Sequence, residues 1–168
     1  MLSVYVLRHG KSDWDALYDQ DHERPLARRG KRAARRMGRF LARRGEAPEL
    51  VLCSSAKRAR RTAELAIEAG AWPSRLHVDS DLYEASSSAL AEYLREQVRG
   101  PRRVMLVGHN PSCAAFVGEM TSSAAPAFPT AALARIDFAA ESWSHLEGGS
   151  GELRWLLTPR QVRALERG

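Results

Sequence analysis

The sequence predicts an α/β fold, an α/β/α sandwich with a mostly parallel central sheet. Short apolar runs rich in strand-forming residues, of which Val4–Leu7 is the first, alternate with segments whose apolar residues recur at helical spacing. Glycine, proline and serine end most of these segments and mark the connections between them. Strands that alternate with helices pair in parallel, because each crossover helix returns the chain to the same end of the sheet.

The elements are predicted in order along the chain. After the first strand and a polar loop over 10–25, a helix over 26–44 should bury an apolar stripe formed by Ala34, Met37 and Leu41. The later elements are a strand over 50–53, a helix over 56–69 capped by Ser54 or Ser55, a strand over 76–78, a helix over 86–98, a strand over 103–107, a helix beginning near Pro111, and strands over 132–138 and 153–157. No full-length helix separates the last strands, so we expect an antiparallel strand at the sheet edge.

Residues 1–168 are predicted to form a single domain. The chain is 44% hydrophobic and 27% charged, which is the balance of a globular protein, and no repeat or linker interrupts it. No apolar run approaches the roughly 20 residues that span a bilayer, and the N-terminus favours a strand rather than a signal peptide. Cys53 and Cys113 stand in unrelated contexts, so we expect no disulfide and a cytoplasmic location without a membrane partner.

The formal net charge of +6 favours an anionic ligand without identifying it. Nine basic residues crowd the helix within 26–45, and they are Arg28, Arg29, Lys31, Arg32, Arg35, Arg36, Arg39, Arg43 and Arg44. They surround the apolar stripe and have no aromatic residues between them on which bases could stack. We interpret them as a solvated helix face, so nucleic acid is not an expected partner. Docking of an acidic protein is an alternative.

Two histidines occupy the same kind of position in the predicted sheet. The Arg-His-Gly motif at 8–10 ends the first strand, and the Gly-His-Asn motif at 108–110 ends the strand that precedes Pro111. Ligands of open α/β sheets bind beyond the carboxyl ends of the strands, so both imidazoles are expected at one site. Each motif alone is better explained as a chance match, but their shared position favours a function.

Two further charged residues are expected near this site. Arg58 lies in the first turn of a predicted helix, from which its guanidinium can reach both histidines and bind phosphate oxygens. Glu84 offers a carboxylate that could serve as a general acid. Without the histidines, Arg58 would be interpreted as part of a solvated basic face and Glu84 as an ordinary surface residue.

The ordered motifs resemble the histidine phosphatase (phosphoglycerate mutase-like) superfamily. They are Arg8-His9-Gly10, the stretch from Ser54 through Arg58-Ala59 to Thr62, Leu82-Tyr83-Glu84 and Gly108-His109-Asn110. The short length, Lys11-Ser12, Trp14 and the run 128–132 are most similar to SixA-type phosphohistidine phosphatases. The similarity extends from the first strand to about Pro159.

The resemblance implies a hydrolase that needs neither a metal nor a cofactor. His9 would attack phosphorus and form a phosphohistidine intermediate, while Glu84 would protonate the leaving group and then help to activate water. The oxygens of the phosphoryl group would be bound by Arg8, Arg58, His109 and Asn110. Phosphoryl transfer depends largely on positioning and charge stabilisation, which such donors supply.

Departures from the family pattern bear on the substrate. Asp15 follows Trp14 where mutase-like members commonly have asparagine, so we expect Asp15 to orient Arg8 or to face solvent. Between Arg58 and Glu84 there is little room for the insertion that covers the mutase pocket. An open pocket suits a phosphorylated side chain on a protein, so a phosphohistidine phosphatase is the leading hypothesis. The alternatives are a phosphatase for small phosphate esters and a non-catalytic basic binding module.

Overall fold

The computed structural model describes all residues, 1–168, and its strands form one six-stranded sheet. The strands are β1 (Leu2–Arg8), β2 (Leu50–Ser54), β3 (Arg75–Asp79), β4 (Arg103–Gly108), β5 (Leu133–Phe138) and β6 (Gly151–Leu157). The helices are α1 (Arg28–Arg43), α2 (Lys57–Gly70), α3 (Ser87–Gln97), α4 (Ser112–Thr121) and α5 (Pro159–Glu166). Single 3-10 turns lie at Asp21–Glu23, Ser80–Leu82 and Trp143–His145.

The sheet has the strand order β3-β2-β4-β1-β5-β6. The strands β3, β2, β4 and β1 pair in parallel, whereas β5 pairs antiparallel with β1 and β6 pairs antiparallel with β5. Only β5 therefore runs against the other strands. The mostly parallel sheet is confirmed, but the antiparallel strand expected at the edge is β5, which lies one strand inside the edge strand β6.

Two hydrophobic cores lie on opposite faces of the sheet. Along β1, Leu2, Val4 and Val6 belong to the core covered by α3 and α4, whereas Tyr5 and Leu7 belong to the core covered by α1, α2 and α5. This division follows from the period of two along a strand, which points successive side chains to opposite faces. Strands buried on both faces need helices on both sides, and the sandwich is the result.

Helix α1 buries the predicted apolar stripe. Ala34, Met37 and Leu41 are fully buried, while most of the arginines around them are exposed. Arg36 and Arg43 pair with Glu166 of α5, which packs beside α1. None of the helices combines the length and the apolar character that a membrane crossing requires.

The structure differs from the sequence prediction at one helix cap and by one additional helix. Ala56, not Ser54 or Ser55, occupies the N-cap of α2, and no side chain caps that end. Helix α5 was not predicted, although Thr158 and Gln161 form a capping box at its start. The helix has only eight residues and buries only Val162, so it is shorter than the window over which helical periodicity is read from a sequence.

Candidate active site

A cavity of about 430 Å³ opens at the carboxyl ends of β1 and β4. Polar and charged side chains dominate its wall, which is built by the loops that follow β1, β2 and β4 and by the segment after β3. It is lined by every site residue predicted from the sequence, namely Arg8, His9, Arg58, Glu84, His109 and Asn110. The parallel strands thus bring residues that are far apart in the sequence to one edge of the sheet.

His9 lies buried at the end of β1 with one ring nitrogen committed to the backbone. Its Nδ1 is 2.7 Å from the carbonyl oxygen of Gly10, which can only accept, so Nδ1 carries the proton. Burial lowers the pKa of His9 to about 3, even though the Gly10 carbonyl raises it. The ring is therefore neutral near pH 7, and its Nε2 retains a lone pair.

The turn after His9 requires a glycine because it packs against the backbone of α1. A Cβ at position 10 would lie 2.7 Å from the carbonyl oxygen of Gly30. The Gly10 N–H donates to Thr62 Oγ1 at 3.0 Å, and the Thr62 hydroxyl donates to the Arg58 carbonyl. These contacts connect the loop that carries His9 to the helix that carries Arg58.

His109 lies beside His9, with 5.2 Å between the ring centroids. Its Nε2 is 2.8 Å from Ser54 Oγ, which also accepts a hydrogen bond from the Ala56 N–H. The Ser54 hydroxyl has no other acceptor, so it donates to Nε2 and leaves the His109 proton on Nδ1. Burial first, and then the positive charge of Arg58, lower the pKa of His109 to about 4.

Two guanidinium groups stand beside the imidazoles. Arg8 donates through Nη1 to the Phe128 carbonyl at 3.0 Å. Arg58 is almost fully buried and donates through Nη1 to the Asp21 carbonyl at 2.7 Å and through Nη2 to the Asp21 carboxylate at 2.9 Å. Each arginine is thus held by the protein, and each leaves its Nε without a partner.

Several buried N–H groups of the cavity-lining residues have no hydrogen-bond partner, and three of them belong to the predicted site residues: Arg8 Nε, Arg58 Nε and His109 Nδ1. We refer to these three groups as the phosphoryl donors. A buried donor without an acceptor costs roughly 1–3 kcal/mol, so its retention calls for a ligand. Three donors on the wall of one cavity match the three non-bridging oxygens of a phosphoryl group, as an electrostatic stabilising site requires.

Glu84 and Asn110 also line the cavity, but their contacts differ from those of the two histidines and of Arg8 and Arg58. Glu84 is exposed and makes no hydrogen bond or ion pair with the rest of the chain. The Asn110 amide donates to the Phe128 carbonyl at 3.0 Å and accepts from the Ala114 N–H at 3.3 Å. Asn110 therefore joins the first turn of α4 to the Phe128 loop, and its direct contact with phosphate stays a prediction.

Sequence reasoning missed an ionic cluster in the loop over 10–25. The Asp21 carboxylate accepts from the Tyr83 hydroxyl at 2.6 Å and pairs with Arg24 at 3.1 Å, in addition to its bonds with Arg58. The Tyr83 hydrogen bond lowers the pKa of Asp21, so the carboxylate stays ionised. This loop has no hydrophobic periodicity, and nothing in its local sequence indicates which residues turn inwards. Asp15 is exposed and makes no bond to Arg8.

No group of three or more histidine, cysteine, aspartate or glutamate side chains is arranged to hold a metal ion. The cavity instead presents two neutral imidazoles and the guanidinium groups of Arg8, Arg24 and Arg58, with the ionised Asp21 beside them. Such a set can bind a tetrahedral anion and offers it one nucleophilic nitrogen.

Comparison with known proteins agrees with this description. The family model of the histidine phosphatase superfamily (branch 1) matches residues 4–101. A protein histidine phosphatase SixA, solved with tungstate, matches with a TM-score of 0.80 and 27% identity over 96% of this chain and 99% of its own. A protein of Agrobacterium tumefaciens assigned as the phosphohistidine phosphatase SixA matches with a TM-score of 0.79 and 29% identity over 94% of this chain and 98% of its own.

A relative from Mycobacterium tuberculosis is an uncharacterised protein, 34% identical over 166 residues that cover 92% of this chain and 100% of its own. The matched family model spans more than half of the chain and includes the first histidine motif. The phosphoglycerate mutase-like fold is confirmed by the SixA structures, which cover nearly all of the chain. This protein is a member of the histidine phosphatase superfamily.

Proposed function

We propose that this protein is a metal-independent phosphatase that transfers a phosphoryl group to His9 and then to water, with phosphohistidine on a protein as its substrate. Membership of the superfamily and the SixA-like structures support a phosphatase. One observation carries the proposal: the free Nε2 lone pair of His9 shares a cavity with the three phosphoryl donors. The tungstate in the SixA relative is a tetrahedral oxyanion, as the proposed ligand is.

The first step forms a bond between His9 Nε2 and phosphorus while the bond from phosphorus to the leaving group breaks. The phosphoryl donors hold the three non-bridging oxygens in this transition state. The Gly10 carbonyl accepts a hydrogen bond from the Nδ1–H of His9 and so stabilises the positive charge that develops on the ring. Glu84 gives its proton to the leaving group in this step. In the second step, the Glu84 carboxylate takes a proton from the attacking water, the phosphorus–nitrogen bond breaks, and inorganic phosphate leaves with His9 neutral and Glu84 protonated again.

The exposed rim of the cavity supports a protein substrate. Trp14 lines the cavity with 64% of its side chain exposed, and Leu17 of the same loop is fully exposed. Exposed apolar side chains beside a binding cavity are suited to contact with another protein. Glu84, which we propose as the general acid, also lies at this open rim, where nothing in the protein orients its carboxylate.

Because the carboxylate of Glu84 is loosely held, the site favours a leaving group that departs with little need for protonation. Imidazole leaves phosphorus more easily than an alkoxide does, so a phosphoramidate tolerates a loosely held acid better than an alkyl ester. We accordingly expect a kcat/KM at least about tenfold higher for a phosphohistidine protein than for a phosphoserine protein, because a loosely held acid gives the ester less than the full contribution of general acid catalysis. Higher rates on small phosphate esters would instead support the alternative of a small-molecule phosphomonoesterase.

Replacing Glu84 by glutamine is expected to affect the two substrate classes differently. The rate with a phosphoserine protein should fall about 100-fold, since general acid catalysis contributes this order of rate, while the rate with a phosphohistidine protein should fall less than about threefold. Single-turnover rates on both proteins measure the difference. Glu96→Gln, an exposed glutamate of α3 far from the cavity lining, is the matched control. Equal losses on the two substrates would refute the role of Glu84 as the acid.

Ser54→Ala tests whether the tautomer of His109 matters. Without the hydroxyl, Nε2 loses its donor and the proton is no longer held on Nδ1, where it faces the phosphoryl group. We expect kcat/KM to fall about tenfold, the value of one hydrogen bond of this kind. Nitrogen-15 chemical shifts of the ring measure the tautomer directly.

The neighbouring Ser55 provides the control for this experiment. Its hydroxyl is 2.8 Å from Nε2 of His22 and makes no bond to either active-site histidine. Ser55→Ala removes the same atom from the next residue and should leave kcat/KM within about twofold. The tautomer role of Ser54 is wrong if both variants lose activity to the same extent.

We also propose a cytoplasmic location for this activity. Cys53 and Cys113 are both free and buried, and burial raises the pKa of each thiol. Reduced thiols of this kind are typical of proteins in a reducing compartment. A fluorescent fusion in the source organism, compared with secreted and membrane-bound markers, tests this location.

A further inference from the structure

Arg24 is a buried arginine in the cavity wall that the mechanism above does not use. It follows the 3-10 turn Asp21–Glu23, and only 6% of its side chain is exposed. Its Nη2 lies 3.1 Å from a carboxylate oxygen of Asp21, and its guanidinium carbon lies 3.4 Å from the ring centroid of Trp14. The guanidinium group is thus held on one side by a charge and on its face by an aromatic ring.

The remaining nitrogens of Arg24 have no partner. Both Nε and Nη1 are buried and make no hydrogen bond. The guanidinium is always charged at physiological pH, and burying a charged group whose donors are unpaired is costly. Asp21 offsets part of this cost but leaves two nitrogens free, so this part of the cavity wall lacks an acceptor that an anionic ligand would supply.

The free nitrogens of Arg24 add to the donors already assigned to a phosphoryl group. The phosphoryl donors already provide one N–H for each of its three non-bridging oxygens. The two free nitrogens of Arg24 are in excess of that number, and the cavity of about 430 Å³ is in the range of sites that take a small molecule rather than a single phosphate. The cavity therefore has room for a substrate that carries a second acceptor beside its phosphoryl group.

We propose that Arg24 binds a carboxylate that the substrate carries beside its phosphoryl group, such as an acidic side chain next to the phosphorylated residue. This inference rests on the proposed phosphatase function and adds a specificity-determining residue to it. A guanidinium offers several donors in one plane, which fits a carboxylate better than it fits a neutral group. Trp14 and Asp21 hold that plane before the substrate arrives, which lowers the entropy lost on binding.

Matched pairs of small substrates test the proposal. Each of the three isomers of carboxyphenyl phosphate is compared with the carbamoylphenyl phosphate of the same geometry, which has nearly the same size but no charge. With the wild-type protein, at least one isomer should show a kcat/KM about tenfold higher for the carboxylate, mainly through a lower KM, because charge-assisted hydrogen bonds are stronger than neutral ones. In Arg24→Gln the carboxylate-to-carboxamide ratio should fall to about one for that isomer.

Two variants complete the experiment. Trp14→Ala removes an exposed side chain and loosens the Arg24 plane, and it should reduce the same ratio about threefold, the value of an exposed cation–π contact. It keeps the test decisive if Arg24→Gln fails to fold. Arg60→Gln is the control, because Arg60 is an exposed arginine that pairs only with Glu64 and does not line the cavity. Its ratio should equal that of the wild-type protein.

The possible results separate the inference from the proposed function. If no isomer prefers the carboxylate, or if Arg24→Gln lowers both rates and leaves their ratio unchanged, Arg24 only supports Asp21 and the inference is overturned. Failure of the proposed function has a different signature: the wild-type protein would hydrolyse none of these phosphates faster than His9→Ala does.

Discussion

His9→Ala is expected to lower phosphatase activity by at least about 10⁴-fold, because removal of a covalent nucleophile costs several orders of magnitude in rate. The imidazole supplies the free nitrogen that shares the cavity with the phosphoryl donors, and alanine offers no replacement. Phosphate release from an aryl phosphate, measured with excess chelator, gives the ratio of the two rates. Trapping with labelled substrate should yield an acid-labile phosphoryl group on the wild-type protein and none on the variant.

The control for this variant is a histidine outside the cavity. His77 lies on the edge strand β3 with its ring partly exposed, so His77→Ala should retain activity within about twofold. Thermal unfolding of both variants shows whether the fold is retained. Activity of His9→Ala equal to the wild type would exclude His9 as the nucleophile, and loss of wild-type activity on addition of chelator would exclude a metal-independent reaction.

Arg58→Lys is expected to lower kcat about 100-fold, although the positive charge is retained. Lysine has no equivalent of the unpartnered Nε–H, and loss of one preorganised donor to a developing charge costs this order of rate. It also lacks the planar fork that holds the carbonyl and the carboxylate of Asp21 at once. Steady-state kinetics should therefore show a larger effect on kcat than on KM.

Arg61→Lys is the matched control for this second variant. Arg61 lies on the same helix, is partly exposed and pairs only with Glu64, so its replacement should change kcat by less than about twofold. Arg58 would not be a phosphoryl donor if Arg58→Lys kept a kcat within threefold of the wild-type value. A fall in the melting temperature without a change in kcat would assign Arg58 a purely structural role through Asp21.

Much of the site could be predicted because its main residues stand at strand ends. Apolar runs reveal β1 and β4, and the residue after each run must lie at the carboxyl edge of a parallel sheet, so His9 and His109 were expected at one place. Arg58 was found in the same way, since it lies in the first turn of the helix that follows β2. These inferences need only local periodicity and the rule that parallel strands end on the same side.

Other features depend on contacts between distant segments and left no local signal. Ser54 was expected to cap a helix, yet its hydroxyl bonds to His109, 55 residues away, and thereby sets a tautomer. Asp21 lies 37 residues from Arg58 in a loop without periodicity, and only the folded chain shows that its carboxylate faces two arginines.

The sequence by itself therefore determined the α/β class, the order of most elements and the residues able to carry the chemistry. Hydrophobic periodicity and strand-end position are local properties, and they can be read without knowing what packs against what. Only the tertiary structure decided the protonation and hydrogen bonding of the two imidazoles and the burial of Arg24. These properties arise from desolvation and from donor–acceptor pairing, which exist only once distant parts of the chain enclose the cavity.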